Sequence, residues 1–389
     1  MTIDYADRIK NLPPYLFEEI DIAKKKAVDA GRPVIDLGVG DPDTPTPDFI
    51  VRKMQEAVSD PANHRYAIGK GTRALRASMA DWYKSRFGVT LDPETEVLAL
   101  MGSKDGIGHF PLAFINPGDE VLVPDPGYPP YNSGTVFAGG RSNLMPLREE
   151  NGFLPDLSVI SEDTARRSKI MHLNYPNNPT GAVCDREFYG KVIDFARKND
   201  IIVCADGAYT EMSFDGYQPL SFLEVEGARE VGVEFHSLSK TFNMTGWRIG
   251  MAVGNPELIA GLAKVKANLD SGVFTAVQIA AIEALDNAEK VKALMNPIYA
   301  ERRDVLVNGL NDMGWKVNKP KATFYVWAPV LDGFDSTAMA KALLEKADII
   351  ATPGNGFGPS GEGYVRFALT RGKEQLAEAV DRIRKAFFS

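Results

Sequence analysis

The sequence has few cysteines and no segment long and apolar enough to act as a membrane anchor. Its 389 residues include only two cysteines, Cys184 and Cys204, so no disulfide framework can form and a reducing compartment is favoured. No apolar run approaches the roughly 20 residues that a membrane-spanning helix needs. The N-terminus carries Asp4 and Asp7 and lacks the apolar segment of a secretory signal. We therefore expect a cytoplasmic protein without a membrane partner.

The chain is mildly acidic and has no excess of positive charge. The chain has 44 Lys+Arg against 52 Asp+Glu, which gives a net charge of −8 at pH 7. This balance argues against a protein built to hold nucleic acid phosphates. Internal repeats and low-complexity tracts are missing as well. The remaining composition, 44% hydrophobic and 25% charged residues, is typical of a folded enzyme-sized globular protein.

Short apolar runs alternate with helical patterns through the middle of the chain. The runs lie at residues 97–101, 120–124, 169–173, 201–205, 234–238 and 248–253. They are continuous rather than alternating, as in strands that are buried on both faces. Residues 186–199, between two of these runs, place their apolar side chains on one helical face. The pattern predicts an α/β fold with a mostly parallel sheet flanked by helices.

Both chain ends depart from this central pattern. Helices are predicted at 15–30, 277–294, 297–313 and 373–387, and strands of a separate small sheet at 316–327, 349–352 and 364–369. We predict a large domain of residues 46–279 and a small α+β domain built from residues 1–45 and 280–389. The lone N-terminal helix needs a surface to pack on, either the small domain or a second subunit.

Polar side chains follow several of the predicted strands, where ligands bind in sheets of this kind. Asn174 follows the run at 169–173, Asp206 follows the next run, and Lys240 comes shortly after the run at 234–238. A lysine at the end of a buried strand is costly unless it is paired or used chemically. The sequence therefore predicts a site that combines an amine, a carboxylate and an amide.

The residues around Lys240 resemble a known family signature. The stretch HSLSKTFNMTGWRIG at 236–250 is similar to the cofactor-lysine motif of class I and II aminotransferases, which use pyridoxal 5′-phosphate (PLP). An Asn-Pro-Thr-Gly motif at 178–181, Asp-Gly-Ala-Tyr at 206–209 and Arg366 match other family motifs in the same order. The resemblance covers essentially the whole chain. It implies the fold type I architecture of PLP-dependent transferases and amino transfer between an L-amino acid and a 2-oxo acid.

The resemblance assigns the central chemistry to a few residues. Lys240 corresponds to the lysine that forms a Schiff base with PLP and later moves a proton at the substrate Cα. Asp206 corresponds to the carboxylate that pairs with the pyridinium nitrogen and keeps the ring an electron sink. Tyr209 and Asn178 correspond to the pair that hydrogen-bonds the phenolic oxygen of the cofactor.

Further positions match the family's cofactor and substrate contacts. The expected phosphate contacts are Ser103, Lys104, Ser237, Ser239 and Arg248. The expected substrate contacts are Tyr15, Gly40, Lys104, Tyr128, Asn178 and Arg366. Among these, Arg366 corresponds to the bidentate clamp on the α-carboxylate, and Tyr128 to the ring that stacks on the pyridine face. No metal is implied.

Two matched positions imply a second subunit. Tyr66 corresponds to the tyrosine that reaches the cofactor phosphate of the neighbouring subunit, and Ser271 is assigned the same role. If each chain supplies these side chains to the other, the active sites are shared. The resemblance therefore implies a homodimer.

The amino donor is less narrowly defined. Residues 13–20 and 243–248 are similar to the LL-diaminopimelate aminotransferase branch, which implies LL-diaminopimelate with 2-oxoglutarate, in lysine biosynthesis. Plant-type members carry an acidic residue shortly after the position of Tyr66, whereas residues 68–71 here contain none. Alanine and aspartate aminotransferase activities stay open, although no arginine lies at 268–274 to hold an aspartate side chain. A PLP-dependent C–S β-lyase is a further alternative. A PLP-sensing regulator is disfavoured, because no DNA-binding segment precedes residue 38.

Overall fold

The computed structural model describes residues 3–13, 16–67 and 69–388. In these ranges the α-helices are α1 Asp7–Lys10, α2 Leu16–Asp29, α3 Asp48–Val58, α4 Arg73–Phe87, α5 Ser103–His109, α6 Pro111–Phe114, α7 Pro130–Phe137, α8 Glu162–Arg167, α9 Arg186–Asn199, α10 Ala228–Val231, α11 Leu238–Thr241, α12 Pro256–Leu269, α13 Thr275–Asp286, α14 Ala288–Asp312, α15 Ser336–Ala347 and α16 Lys373–Phe387. The strands are β1 Ile35–Asp36, β2 Val97–Leu100, β3 Glu120–Asp125, β4 Arg141–Pro146, β5 Ser168–Asn174, β6 Ile202–Asp206, β7 Gly232–Ser237, β8 Gly250–Gly254, β9 Tyr325–Pro329, β10 Ile349–Ile350, β11 Thr352–Pro353 and β12 Tyr364–Ala368. Within this part of the chain no helix has the length and apolar character needed to span a membrane.

A seven-stranded sheet forms the centre of the molecule, in the order β2-β8-β7-β6-β5-β3-β4. Pairing is parallel from β4 through β3, β5 and β6 to β7, whereas β8 runs antiparallel to both β2 and β7. The strands that come from the predicted apolar runs are buried almost throughout, because helices cover both faces of the sheet. The α/β class with a mostly parallel sheet is confirmed.

One strand of this sheet was not predicted. β4 lies at the sheet edge and carries Arg141, Ser142 and Asn143 in its first half, all exposed or half-buried. An edge strand packs on fewer neighbours, so it does not need the continuous apolar run that marks a central strand. The sequence pattern therefore gives no strand signal for β4.

The helices after residue 275 begin and end at other residues than predicted. The break between the two long helices falls at Asn287, and α14 continues through Pro297 for 25 residues. The predicted boundary near Pro297 is wrong, because that proline lies on the exposed side while Met295 and Tyr299 anchor the helix in the core. The strand predicted at 316–327 is also largely wrong, since only β9 forms and it begins at Tyr325.

Both chain ends meet in two small sheets. β11, β12 and β9 form an antiparallel sheet, and β1 pairs in parallel with β10. The backbone N–H of Ala368 also donates to the carbonyl of Leu37, 2.7 Å away. These contacts hold the N-terminal segment against the C-terminal part of the chain. The division at residues 46–279 stays a prediction.

Candidate active site

A cleft opens where β5, β6 and β7 end, because the carboxyl ends of parallel strands meet at one edge of the sheet. This central cleft has a volume of about 580 Å³. Its lining residues are Lys24, Asp36, Val39, Gly40, Asp41, Pro42, Asp43, Ser103, Tyr128, Asn174, Asn178, Asp206, Ala208, Tyr209, Ser237, Lys240, Tyr325, Arg366 and Arg371. The amine, carboxylate and amide that the sequence placed after three strands thus share one cavity.

Lys240 lies on α11, the short helix that directly follows β7. Its Nζ donates a hydrogen bond of 2.8 Å to the carbonyl of Gly40 and lies 5.5 Å from the centre of the Phe324 ring. Burial lowers the pKa of this amine to about 8, and the positive charges of Arg366 and Arg248 act in the same direction. A substantial fraction of the amine is therefore neutral near physiological pH.

Asp206 ends β6 and is 6% exposed. Its Oδ2 accepts a hydrogen bond from the Tyr131 hydroxyl at 2.8 Å, and its Oδ1 accepts from the backbone N–H of Ala208 at 3.1 Å. Burial raises the pKa of this carboxyl to about 6, although both hydrogen bonds oppose the shift. The group is thus an anion at pH 7 in surroundings that favour a cationic N–H partner.

Two tyrosines meet beside Lys240. The hydroxyls of Tyr209 and Tyr325 are 3.1 Å apart, and burial raises the pKa of Tyr209 well above its usual value, so the phenol stays protonated and can donate. Gly40 lies against the same pair. A Cβ atom at this glycine would be 2.0 Å from the Tyr325 hydroxyl oxygen, so any other residue at position 40 displaces the tyrosine.

Arg366 lies on β12 and is fully buried. Its guanidinium donates to Asn178 Oδ1 at 2.7 Å and to the carbonyl of Gly38 at 2.6 Å. The same group stacks on the Tyr325 ring, with its central carbon 4.1 Å from the ring centre. These contacts fix a planar double donor at the cleft wall, which is the geometry that binds a carboxylate through two parallel hydrogen bonds.

A group of hydroxyls lies at one end of the central cleft. Ser103 begins α5 and Ser237 ends β7, and both line the cavity. Arg248 stands behind them, with its Nη1 3.5 Å from the Ser239 hydroxyl. A Cβ atom at Gly102 would be 2.3 Å from the Arg248 guanidinium, so this glycine allows the cation to approach the start of α5.

Several predicted residues lie elsewhere. Lys104 is exposed on α5 and does not line the central cleft, and Tyr15 lies outside the described residues. Tyr66, 81% exposed, and Ser271 lie together in a second, open cleft of about 730 Å³. We call it the Tyr66 cleft; it is lined by His64, Arg65, Tyr66, Ala67, Ser271, Gly272 and Phe274.

Two residues of the site were missed from the sequence. Tyr131 lies three positions after Tyr128, and the two rings meet edge to face with their centres 5.8 Å apart. Tyr128 precedes α7 and Tyr131 lies in its first turn, where the Tyr131 N–H donates to the Tyr128 carbonyl at 3.1 Å, so the turn that begins the helix brings the two rings together. Tyr325 gave no local signal, because it meets Tyr209 across 116 residues of sequence.

Comparison with known proteins agrees with this geometry. Residues 32–383 match the family model described as aminotransferase class I and II. The chain is 58% identical to LL-diaminopimelate aminotransferase of Syntrophobacter fumaroxidans over 98% of this chain and 99% of that protein. It is 55% identical to the enzyme of the same name from Desulforudis audaxviator over 99% and 98% of the two chains. The solved structure of apo-BacF from Bacillus subtilis superposes with a TM-score of 0.95 at 42% identity, covering 99% of this chain and 98% of that one. The chain therefore belongs to the class I and II aminotransferase family, and it is an aminotransferase.

Proposed function

We propose that this enzyme binds PLP through Lys240 and transfers the amino group of LL-diaminopimelate to 2-oxoglutarate. The observation that carries the proposal is the meeting of Lys240, Asp206 and Arg366 in one cleft that three tyrosines and two serines also line. An amine, a buried anion and a carboxylate-binding guanidinium are the three groups that amino-acid chemistry on a pyridine aldehyde requires.

The donor set of the central cleft fits PLP. Asp206 is a buried acceptor for the ring N–H, and Tyr209 is a protonated donor for the phenolic oxygen. The serine hydroxyls of the cleft, with Arg248 near them, suit the phosphate, and the aromatic ring of Tyr128 suits stacking on a flat ring. When bound, PLP supplies an electron sink for the electron pair released at the substrate α-carbon.

The substrate is oriented by the protein itself. Arg366 holds the α-carboxylate, because its fully buried guanidinium is fixed by Asn178 and by the carbonyl of Gly38. A carboxylate held at that wall leaves the α-amine and Cα facing the Lys240 side of the cleft. Such positioning replaces an encounter between free molecules by a reaction within one complex.

Lys240 moves the proton. Its pKa of about 8 lies more than two units below the ordinary lysine value of 10.5, so the neutral amine is available to accept the proton of Cα. In the enzyme loaded with PLP, the resulting ammonium would deliver that proton to C4′ of the cofactor rather than back to Cα, as amino transfer requires. Burial and the two nearby guanidinium groups produce this shift, and the same charges hold the substrate and phosphate anions.

The choice of amino donor rests on the relatives. Both relatives named above share more than half of their residues with this chain over nearly its full length, and both carry the name LL-diaminopimelate aminotransferase. Such identity over matched lengths supports the same donor here. Alanine and aspartate are the competing donors that an experiment must include.

We further propose a homodimer with shared sites. Tyr66 and Ser271 lie together in the Tyr66 cleft, apart from the lining residues of the central cleft. Tyr66 is 81% exposed, which is unusual for a large aromatic side chain in a folded chain. A second copy that covers this cleft buries the tyrosine and brings its hydroxyl to the cofactor of the partner subunit.

Two measurements test this function. The enzyme reconstituted with PLP is expected to gain visible absorbance through Lys240, and K240A is expected to lose it. With 2-oxoglutarate as acceptor, LL-diaminopimelate is expected to give a higher kcat/KM than alanine or aspartate. A colourless reconstituted enzyme contradicts the role of Lys240, and a preference for alanine or aspartate contradicts the donor. Pyruvate release from a cysteine conjugate without any 2-oxo acid would indicate a β-lyase instead.

A further inference from the structure

The proposed substrate carries a second ammonium group that the residues assigned so far do not receive. LL-diaminopimelate has an amino acid centre at each end of a seven-carbon chain. When one end is held by Arg366 and Lys240, four carbon–carbon bonds of an extended chain place the distal α-carbon about 5 Å from the reacting α-carbon, and the distal ammonium is one C–N bond further, at about 6 Å. A cation taken from water needs an anionic partner in the cleft.

Four carboxylates line the central cleft: Asp36, Asp41, Asp43 and Asp206. Asp36 forms an ion pair with Lys24 at 2.7 Å. Asp43 accepts two hydrogen bonds from the guanidinium of Arg302, at 2.6 and 3.0 Å. Asp206 is engaged by Tyr131 and by a backbone N–H. Three of the four are therefore already committed.

Asp41 differs from the other three. It is exposed to the cleft, and among the described residues no hydrogen bond or ion pair engages its carboxylate. Lys24 and Arg371, two cations that line the cleft, form ion pairs with Asp36 Oδ2 at 2.7 and 3.8 Å. Neither of them forms an ion pair with Asp41. Among the residues that the structure describes, Asp41 is thus the one lining carboxylate that no hydrogen bond or ion pair engages.

The position of Asp41 fits a distal group. Asp41 directly follows Gly40 in the sequence. The carbonyl of Gly40 accepts a hydrogen bond of 2.8 Å from the Lys240 amine, so the loop that carries Asp41 contacts the reacting lysine. Its charge is felt there, because it opposes the lowering of the Lys240 pKa. Gly40 is itself held against the Tyr325 hydroxyl, which fixes the loop that carries Asp41.

We propose that Asp41 receives the distal ammonium of the substrate and thereby selects a diamino acid over a donor with an uncharged or absent distal amine. The inference rests on the proposed function and deepens it, because it names the residue behind the choice of donor. Without the Asp41 charge, the enzyme retains its machinery for the α-amino group but loses its preference for a second one.

The test compares two donors that differ in one group. L-2-aminopimelate has the chain length and both carboxylates of LL-diaminopimelate but lacks the distal amine. In the PLP-loaded enzyme, D41N is expected to lower the ratio of kcat/KM for LL-diaminopimelate to that for L-2-aminopimelate about tenfold, the low end for a charge-assisted hydrogen bond. A ratio is needed, because the Asp41 charge also acts on Lys240 and a change there affects both donors.

D43N is the matched control, since it makes the same chemical change two residues away in a carboxylate that Arg302 already holds. It is expected to change both donors equally and leave the ratio near the wild-type value. Visible absorbance and thermal unfolding of D41N establish that it is folded and loaded with cofactor. Equal losses for both donors in D41N overturn this inference while the proposed function stands. A wild-type enzyme that prefers alanine to LL-diaminopimelate overturns the proposed function and this inference with it.

Discussion

The central cleft and the Tyr66 cleft both carry residues that match aminotransferase active-site positions. Within a single chain, however, the residues of the central cleft are buried and hydrogen-bonded, whereas those of the Tyr66 cleft are exposed. In the central cleft, Asp206 is 6% exposed and Arg366 is fully buried, and both are fixed by hydrogen bonds from several elements. In the Tyr66 cleft, Tyr66 is 81% exposed and Ser271 lies at an open surface. Burial shifts the pKa values of Asp206 and Lys240 in the central cleft.

This difference separates two kinds of contribution. Side chains at the ends of buried strands can carry chemistry within a single chain, because the sheet holds them in place before any ligand arrives. An exposed tyrosine on a loop gains a fixed position only when another surface covers it. The following predictions test whether the two clefts do contribute in these separate ways.

The largest expected effect belongs to Lys240. K240A removes the amine that moves the proton, so kcat/KM for amino transfer is expected to fall by about 10³-fold or more. The measurement is 2-oxoglutarate-dependent turnover of LL-diaminopimelate. K373A is a suitable control, because it removes a lysine whose partner, Glu301, is exposed. Activity of K240A above a tenth of wild type would contradict the role of this amine.

The second effect concerns the cost of burying Asp206. Burial raises its pKa from 3.8 to about 6. Ionised Asp206 therefore lowers the free energy of unfolding above pH 6, and this destabilisation disappears as the pH falls toward 4. D206N is expected to lower turnover about 100-fold while raising the free energy of unfolding of the cofactor-free protein at pH 8 by about 1–3 kcal/mol. Urea denaturation at pH 8 and pH 4 checks the sign. A variant less stable than wild type at pH 8 would show that the Tyr131 hydrogen bond outweighs the burial of charge.

A smaller effect is expected in the Tyr66 cleft. Y66F is expected to weaken PLP binding about tenfold, because one hydroxyl donor to a phosphate is lost. The Y66F and K240A variants can be mixed, unfolded and refolded together to form mixed dimers. Tight PLP binding is expected to return in a fraction of the active sites. In such mixed dimers one site combines an intact Lys240 with an intact Tyr66 from the other chain. Mixtures that bind no better than Y66F alone would place both residues in the same chain's site.

The smallest effect is a shift in pH dependence. Neutral Lys240 is the form that reacts, so the rate of PLP capture by the cofactor-free enzyme is expected to rise with pH and level off above about pH 8, well below the lysine value of 10.5. D41N removes a charge that raises the Lys240 pKa, and the midpoint is expected to move about 0.5 unit lower. Y66F should leave the midpoint unchanged, because it removes none of the charges that act on Lys240. A midpoint near 10 in the wild type would show that Lys240 is solvated.

Much of the central sheet and its chemistry could be predicted from sequence, because the signals are local. A continuous apolar run marks a strand buried on both faces, and Asn174, Asp206 and Ser237 end such strands. The sequence alone therefore predicts that an amide and a carboxylate lie at the same edge of the central sheet. The edge strand β4 lacked this signal because it is buried on fewer sides.

Contacts between distant segments could not be predicted. Tyr325 meets Tyr209 and the Arg366 guanidinium only after three separate parts of the chain have folded together. Asp41 gave no signal either, since one of two aspartates in a loop looks like an ordinary turn residue until the neighbouring carboxylates are seen to be paired. Lys104 shows the reverse, because its place in the motif predicted a role in the cleft although its side chain is exposed.

The joining of the two chain ends has a consequence for synthesis on the ribosome. Leu37 and Gly38 accept hydrogen bonds from Ala368 and Arg366, across more than 300 residues. During translation the first 40 residues therefore emerge long before their partners exist, while the strands β2 to β8 can already assemble. Contacts of such long range form late and slowly. The cleft wall that carries Arg366 is thus completed only when β12, the last of the described strands, has left the exit tunnel.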